Sequence, residues 1–216
     1  MLRIISIVLG PLLLAGCAVF GVRSGTEQPG YEVVERLGES VELRRYGERL
    51  AAEVVVAAGP EEEGRNAAFR VLFDYISGAN RPQERIAMTA PVETDASPGK
   101  IAMTAPVATS RTDEQGIFMR FHLPASYTLE TAPEPTDPRV RLVVLPAQTV
   151  ATLRYSGFGG EERVAERQAE LLAALENSGW QPTAEPVAFF YDPPWTIPFL
   201  RRNEVAVPVA GGQGGG

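Results

Sequence analysis

The chain is poor in the residues that build most reactive centres. Its 216 residues hold one histidine, one cysteine and two tryptophans, and aromatic residues make up only 8%. One histidine cannot supply the HExxH zinc motif, and one cysteine can form neither an internal disulfide nor a CxxC pair. No GxSxG elbow and no phosphate-binding P-loop occurs. Gly157-Phe158-Gly159-Gly160 is a faint echo of such a loop, but it lacks the lysine, and a strand-to-helix turn explains it. Basic charge is also short, with 20 Lys and Arg against 27 Asp and Glu for a net charge of −7. The acids are scattered, which fits a solvated surface and argues against a nucleic-acid partner. Glu61 to Glu63 and Glu161 to Glu162 suit helix N-termini better than acid/base catalysis. No enzyme is expected, and 44% hydrophobic residues is ample for a buried core.

Long apolar runs are absent except at the start, where Arg3 precedes Ile4 to Leu14. That run is short for a bilayer span and follows the signal-peptide pattern. Leu14-Ala15-Gly16-Cys17 resembles the lipobox of bacterial lipoproteins, in which cleavage before the cysteine is followed by its acylation; an ordinary secretory signal is the alternative. Residues 1–16 are then the signal, and Cys17 is the lipidation site. Its acyl (palmitate-type) chains would hold the protein to a membrane at ~0.8 kcal/mol per buried methylene. Ala18, rather than an acidic residue, follows the cysteine. This resembles lipoproteins sent to the outer membrane, so the expected location is its periplasmic face. Residues 17–30, with Gly21, Ser24, Gly25, Pro29 and Gly30, read as a flexible tether.

The domain is expected over residues 31–209, followed by a disordered glycine-rich tail over 210–216. Its most conspicuous feature is IAMTAPV, present at Ile86 to Val92 and again at Ile101 to Val107. Alternation puts Ile86, Met88, Ala90 and Val92 on one strand face, and Pro91 and Pro106 at strand ends or edges. With Ser97, Pro98 and Gly99 between them, the copies read as a hairpin. Before them, Tyr31 to Val34, Val41 to Tyr46 and Leu50 to Ala57 are strand-like. Ala68, Val71, Leu72, Tyr75 and Ile76 then recur at helical spacing after an acidic start. After the repeats come a strand at Gly116 to Leu123, a proline-broken connector at Pro133, Pro135 and Pro138, and strands at Val140 to Leu145 and Thr149 to Tyr155. The clearest helix spans Gly160 to Ser178, with Val164, Leu171, Leu172 and Leu175 on one side and Gly179 as cap. Val187 to Tyr191 and Glu204 to Val209 complete the strands.

Val41 to Glu63 set against Val140 to Glu162, an offset of 99 residues, aligns strand, turn, strand and acidic helix start. The expected fold is therefore α+β: a distorted antiparallel β-barrel of about eight strands with two helices and an internal pseudo-twofold ββαββ-like repeat.

The double IAMTAPV, Leu123-Pro124-Ala125-Ser126-Tyr127-Thr128-Leu129-Glu130-Thr131, Tyr191-Asp192-Pro193-Pro194 and Pro198-Phe199-Leu200-Arg201-Arg202-Asn203-Glu204-Val205 together resemble the SOUL family of haem-binding proteins, over about Tyr31 to Val209. The resemblance implies a distorted barrel with two helices, like the effector-binding domains of some drug-responsive regulators. It also implies a porphyrin lying between the Ala67 to Ile76 helix and the Asp192 to Leu200 loop. Val71, Leu72, Tyr75, Trp195, Ile197 and Phe199 would then supply apolar contact, and Arg201 or Arg202 would pair with propionates. Equally, the helix face is core, the loop a lid and the arginines partners of nearby glutamates. His122 is the tempting iron ligand, but it shares a strand face with Arg120 outside both segments, so no metal ligand is assigned to it. Tyr75, Tyr191, Met88 and Met103 are other conceivable ligands that read equally well as core. The resulting expectation is reversible binding of haem or a related tetrapyrrole in the cell envelope, for carriage or buffering without a strong axial ligand. A module for other hydrophobic small molecules and an interaction scaffold without a ligand are the alternatives. Oligomeric state is open.

Overall fold

The computed structural model describes residues 26–57, 61–95, 116–192 and 196–211. The signal segment, Cys17, the second IAMTAPV copy with Met103, Trp195 and residues 212–216 lie outside the described residues. In chain order the elements are β1 (Tyr31–Leu37), β2 (Val41–Tyr46), β3 (Arg49–Ala57), α1 (Glu61–Ile76), β4 (Asn80–Arg81), β5 (Val92–Asp95), β6 (Gly116–His122) and β7 (Glu134–Pro135). They continue with β8 (Arg141–Leu145), β9 (Gln148–Tyr155), α2 (Glu161–Leu175), β10 (Trp180–Pro182), β11 (Val187–Phe190), a 3-10 turn (Pro198–Leu200) and β12 (Asn203–Gly211).

The fold is α+β, as expected, with a curled antiparallel sheet ordered β1-β2-β9-β12-β11-β5-β6-β3-β8 and β10 pairing with β12. β4 and β7 form a separate small ribbon. The pseudo-twofold is visible in this order. Reading inward from β2 gives β2-β9-β12-β11, and reading inward from the other edge gives β8-β3-β6-β5. Each repeat thus has the plan ββαββ, and each lends its first strand to the other: β2 pairs with β9, and β8 with β3. The offset of 99 residues aligns β2 with β8 and β3 with β9, so the repeat read from the sequence is the repeat of the sheet.

Alternation along the strands separates two faces. On one, Leu50, Ala52, Val54, Met119 and Phe121 pack against Ala68, Leu72, Tyr75 and Ile76 of α1. In the second repeat Leu43, Ala151, Leu153, Val205 and Val207 pack against Leu171 and Leu175 of α2. Val164 and Leu172, expected in that stripe, are only half-buried. On the opposite face a smaller apolar cluster of Tyr46, Val150, Phe189, Tyr191 and Ala206 borders a network of buried charges.

The first IAMTAPV copy is not a strand. Only Val92 enters one, opposite Phe121. Pro91 has no N–H to give a ladder, and the preceding amides go elsewhere: Ile86 N–H to the Ile76 carbonyl and Ala90 N–H to the Glu27 carbonyl. Ile86 is buried beneath α1, Ala90 is buried on the other face, and Met88 is exposed. The stretch crosses from one side of the sheet to the other, which a regular strand with Ile86, Met88 and Ala90 on one face could not do. Ala210 and Gly211, expected in the tail, are strand residues instead and pair with Gln181 and Trp180. Gly211 has φ +104, and a Cβ there would sit 2.6 Å from the Gly179 carbonyl oxygen, so this strand end requires glycine.

Candidate functional site

Helix α1 carries two different sides. Its core stripe holds Ala68, Val71, Leu72, Tyr75 and Ile76. Adjacent to it, Phe69 and Phe73 lie one turn apart, the spacing at which helical side chains meet. Their rings stack at 5.9 Å between centroids and remain 37% and 46% exposed. Phe69 also meets Phe121 of β6 edge-on at 5.4 Å, so the stack is anchored at its base and open at its outer face.

One turn towards the helix start, Arg65 holds its guanidinium 4.8 Å above the Phe190 ring and reaches the Gly159 carbonyl at 3.5 Å. Gly159 is glycine for a steric reason, since a Cβ would collide with the Phe190 ring. Next to it, Phe158 is widely exposed and lies under the Arg201 guanidinium at 5.4 Å. Gly157 N–H binds the Pro198 carbonyl, which ties this turn to the 3-10 segment bearing Phe199, 72% exposed. Exposed aromatics and arginines therefore run from α1 across the turn before α2 to the loop before β12. Large exposed aromatic patches on soluble proteins mark binding surfaces.

The residues singled out in the sequence fall into separate places. Leu72 and Tyr75 are core, and the Tyr75 hydroxyl is spent on the Pro133 carbonyl at 2.8 Å; burial pushes that phenol up to about 12. Val71 and Tyr75 line an open groove of about 560 Å³ on the other flank of α1, together with Asp74, Thr136, Asp137 and Arg139. Ile197 is half-buried. Arg201 donates to the Thr196 carbonyl at 2.8 Å. Arg202 is held inside the network behind the sheet, binding Glu204 through Nη2 at 2.7 Å and Nε at 3.0 Å, with its plane 4.0 Å from the Tyr191 ring. Phe69, Phe73, Phe158 and Arg65 were not singled out. An i, i+4 aromatic pair lying off the core stripe was the available signal.

Behind the sheet, Glu204 accepts from Arg44, Arg202 and the Tyr191 hydroxyl. Burial raises its carboxyl, and the two guanidiniums outweigh that and hold it below the usual carboxylate range. Burial also pushes the Tyr191 phenol well above its ordinary value. Arg120 bridges Glu53 at 2.6 Å and Glu93 at 2.9 Å, and Arg141 takes the other Glu53 oxygen at 2.8 Å. His122 is on this face, 3% exposed. Burial first, then the Arg49 and Arg120 charges, lower its pKa to about 3, so at neutral pH it is an uncharged imidazole.

The family model described as "SOUL heme-binding protein" matches residues 26–208. "Heme-binding protein 2" of Homo sapiens is 25% identical over 167 residues, 76% of this chain and 77% of that protein. Among solved structures, an uncharacterised conserved protein from Listeria innocua superposes with a TM-score of 0.54 at 15% identity, covering 87% of this chain and 94% of its own. EcmrR in a DNA complex superposes with a TM-score of 0.55 at 14% identity, over 79% of this chain and 57% of its own. At such identities these two likenesses concern the fold alone.

Proposed function

We propose, from the premise that the chain belongs to the SOUL haem-binding protein family, that it binds haem or a related tetrapyrrole reversibly on the aromatic flank of α1. The observation that carries this is the open Phe69–Phe73 stack beside Arg65. A porphyrin presents broad apolar faces and two carboxylates, and needs aromatic surface with cations at its rim. Phe69, Phe73, Phe158 and Phe199 offer the former, and Arg65 and Arg201 the latter. Haem would supply its iron; this chain supplies stacking surface and charge.

Histidine ligation does not fit, because His122 is buried on the sheet face away from both helices. Tyr75 and Tyr191 keep their protons and already donate them to Pro133 and Glu204. Affinity without an axial side chain rests on burial and propionate pairing, which leaves the ligand exchangeable and suits carriage or buffering. The proposed setting is the cell envelope, with Cys17 acylated and the domain tethered to the periplasmic face of the outer membrane. The test is a Soret titration of the purified chain: saturable binding that survives His122→Ala and weakens with Phe73→Ala supports the site. Absence of saturation removes it.

A second reading has its own observation in the 560 Å³ groove along Val71 and Tyr75, a volume ordinary for small-molecule sites. Asp74 and Asp137 face it, and Arg139 is engaged by Asp137 at 2.6 Å, so it suits a neutral or cationic hydrophobic molecule better than a dicarboxylate. A hydrophobic dye displaced by small molecules, yet unaffected by Phe73→Ala, would favour the groove.

A further inference from the structure

Arg49, behind the sheet, has no hydrogen-bonding or ion-pair partner among the described residues. Its guanidinium stacks over the Tyr46 ring at 4.4 Å, while Nε and Nη2 are buried and unpartnered. The Nδ1 atom of His122 is likewise buried and unpartnered. Both side chains line one small cavity, together with Gln28, Tyr31, Pro91, Phe189 and Tyr191. Buried polar atoms normally find partners, so three orphans around one cavity call for an occupant.

The charges around it identify the sign of that occupant. Four guanidiniums sit behind the sheet, Arg44, Arg49, Arg120 and Arg202, against the three buried carboxylates Glu53, Glu93 and Glu204. At the rim of the network Glu42 is shared by Arg36 and Arg44, Arg141 takes Glu53, and Asp192 accepts from the Arg202 amide. Of these four arginines, Arg49 alone holds no carboxylate among the described residues. Its pKa is lowered by burial, with the Glu93 charge only partly opposing, as expected of a partly buried guanidinium that holds no carboxylate.

We infer that the cavity between Arg49 and His122 is a binding site for a small monovalent anion of halide size. The free volume is about 10 Å³, room for one atom-sized occupant, which excludes sulfate and organic acids. His122 gives the site a second property. Its Nε2 lies 3.7 Å from Glu93 Oε2, so a proton on Nε2 faces a carboxylate and leaves Nδ1 as a lone pair. A second proton turns Nδ1, on a side chain that lines the cavity, into a donor. An anion neutralising Arg49 removes part of the repulsion that keeps that proton away, while Arg120 on β6 and Arg44 on β2 stay neutralised by Glu53, Glu93 and Glu204. Burial raises the Tyr46 and Tyr191 phenols, which remain protonated throughout. The anion and one proton therefore bind together, and affinity rises as pH falls. This site lies on the face away from α1 and stands whether or not haem binds there.

The test is thermal unfolding of the full chain in sodium bromide, chloride or gluconate at equal ionic strength, at pH 6 and pH 8. At ten times the half-saturating concentration, bromide and chloride should raise the midpoint by roughly 3–5 °C over gluconate, more strongly at pH 6. Arg49→Gln should lose the halide response, and His122→Gln should keep it but lose its pH dependence. Crystals of the unaltered protein grown in bromide should show anomalous density between Arg49 and His122, a measurement that holds even if Arg49→Gln fails to fold. Identical midpoints in halide and gluconate, no bromide density, or an Arg49→Gln protein that still responds would each overturn the site. A His122→Gln protein with unchanged pH dependence would overturn the proton coupling.

Discussion

Arg44 and Glu204, 160 positions apart, meet in a two-pronged ion pair, Nη1 to Oε2 at 2.7 Å and Nη2 to Oε1 at 3.1 Å. The pair joins β2 of the first repeat to β12 of the second, over β9, and both partners are buried. Removing one member leaves the other charged and without its main partner, which costs about 3–5 kcal/mol. Arg44→Met should therefore lower unfolding free energy by that order in urea titrations, and Arg44→Met with Glu204→Met should recover part of the loss. A single variant as stable as the parent would mean that Arg202 alone satisfies Glu204.

His122 sets an acid limit. Its folded pKa of about 3 lies below the unfolded value of 6.5, so on acidification the unfolded chain takes up the proton first. Stability is then unaffected above pH 6.5 and lost as pH falls from 6.5 towards 3. In halide-free buffer the loss by pH 5 should be about 2 kcal/mol. Being the only histidine, it is testable by a single change: His122→Gln should flatten the slope of unfolding free energy between pH 6.5 and 5, above the range where Glu204 titrates.

Phe73→Ala separates ligand binding from folding. The ring is half exposed and packs on Phe69, so its loss should change stability by no more than about 1 kcal/mol. Haem affinity should fall roughly tenfold, the worth of one aromatic contact, as read from Soret titration. Leu72→Ala, one position away but inside the core, should do the reverse. It should cost about 2–5 kcal/mol of stability and leave the affinity of the folded fraction unchanged.

Cys17→Ser addresses the anchor. The variant should move from the membrane fraction to the soluble fraction of cells, because no other acylation site has been assigned. Continued sedimentation with membranes would dismiss the lipoprotein assignment and leave the domain's function to be tested separately.

Much of the fold was legible because its elements follow simple periodicities. Val41 to Tyr46 was bounded to the residue, and the offset of 99 residues found the repeat with few identities. The IAMTAPV copy misled because alternation alone does not make a strand: Pro91 removes a ladder donor, and the Ile86 and Ala90 amides bind the Ile76 and Glu27 carbonyls outside any strand. The site was less legible. Helical spacing singled out Val71, Leu72 and Tyr75 because they are apolar, and apolar residues at core spacing are core. Phe69 and Phe73 serve a surface for the opposite reason, since they lie beside that stripe. Arg202 was left between propionate pairing and a nearby glutamate, and the structure gives it Glu204, on a strand whose face a sequence does not reveal. The Arg49 cavity had no local signal at all, since its walls come from β2, β3, β6, the end of β11 and residues before β1.

The exchange of first strands between the repeats makes each half depend on the other. A single ββαββ unit would leave an unfilled sheet edge beside its second strand, and a twin of itself carries the strand that fills it. Two identical copies would complete each other as a reciprocal dimer. In this polypeptide the two units are joined covalently and their helices differ: α1 carries the exposed Phe69–Phe73 stack beside its core stripe, and α2 carries no aromatic residue.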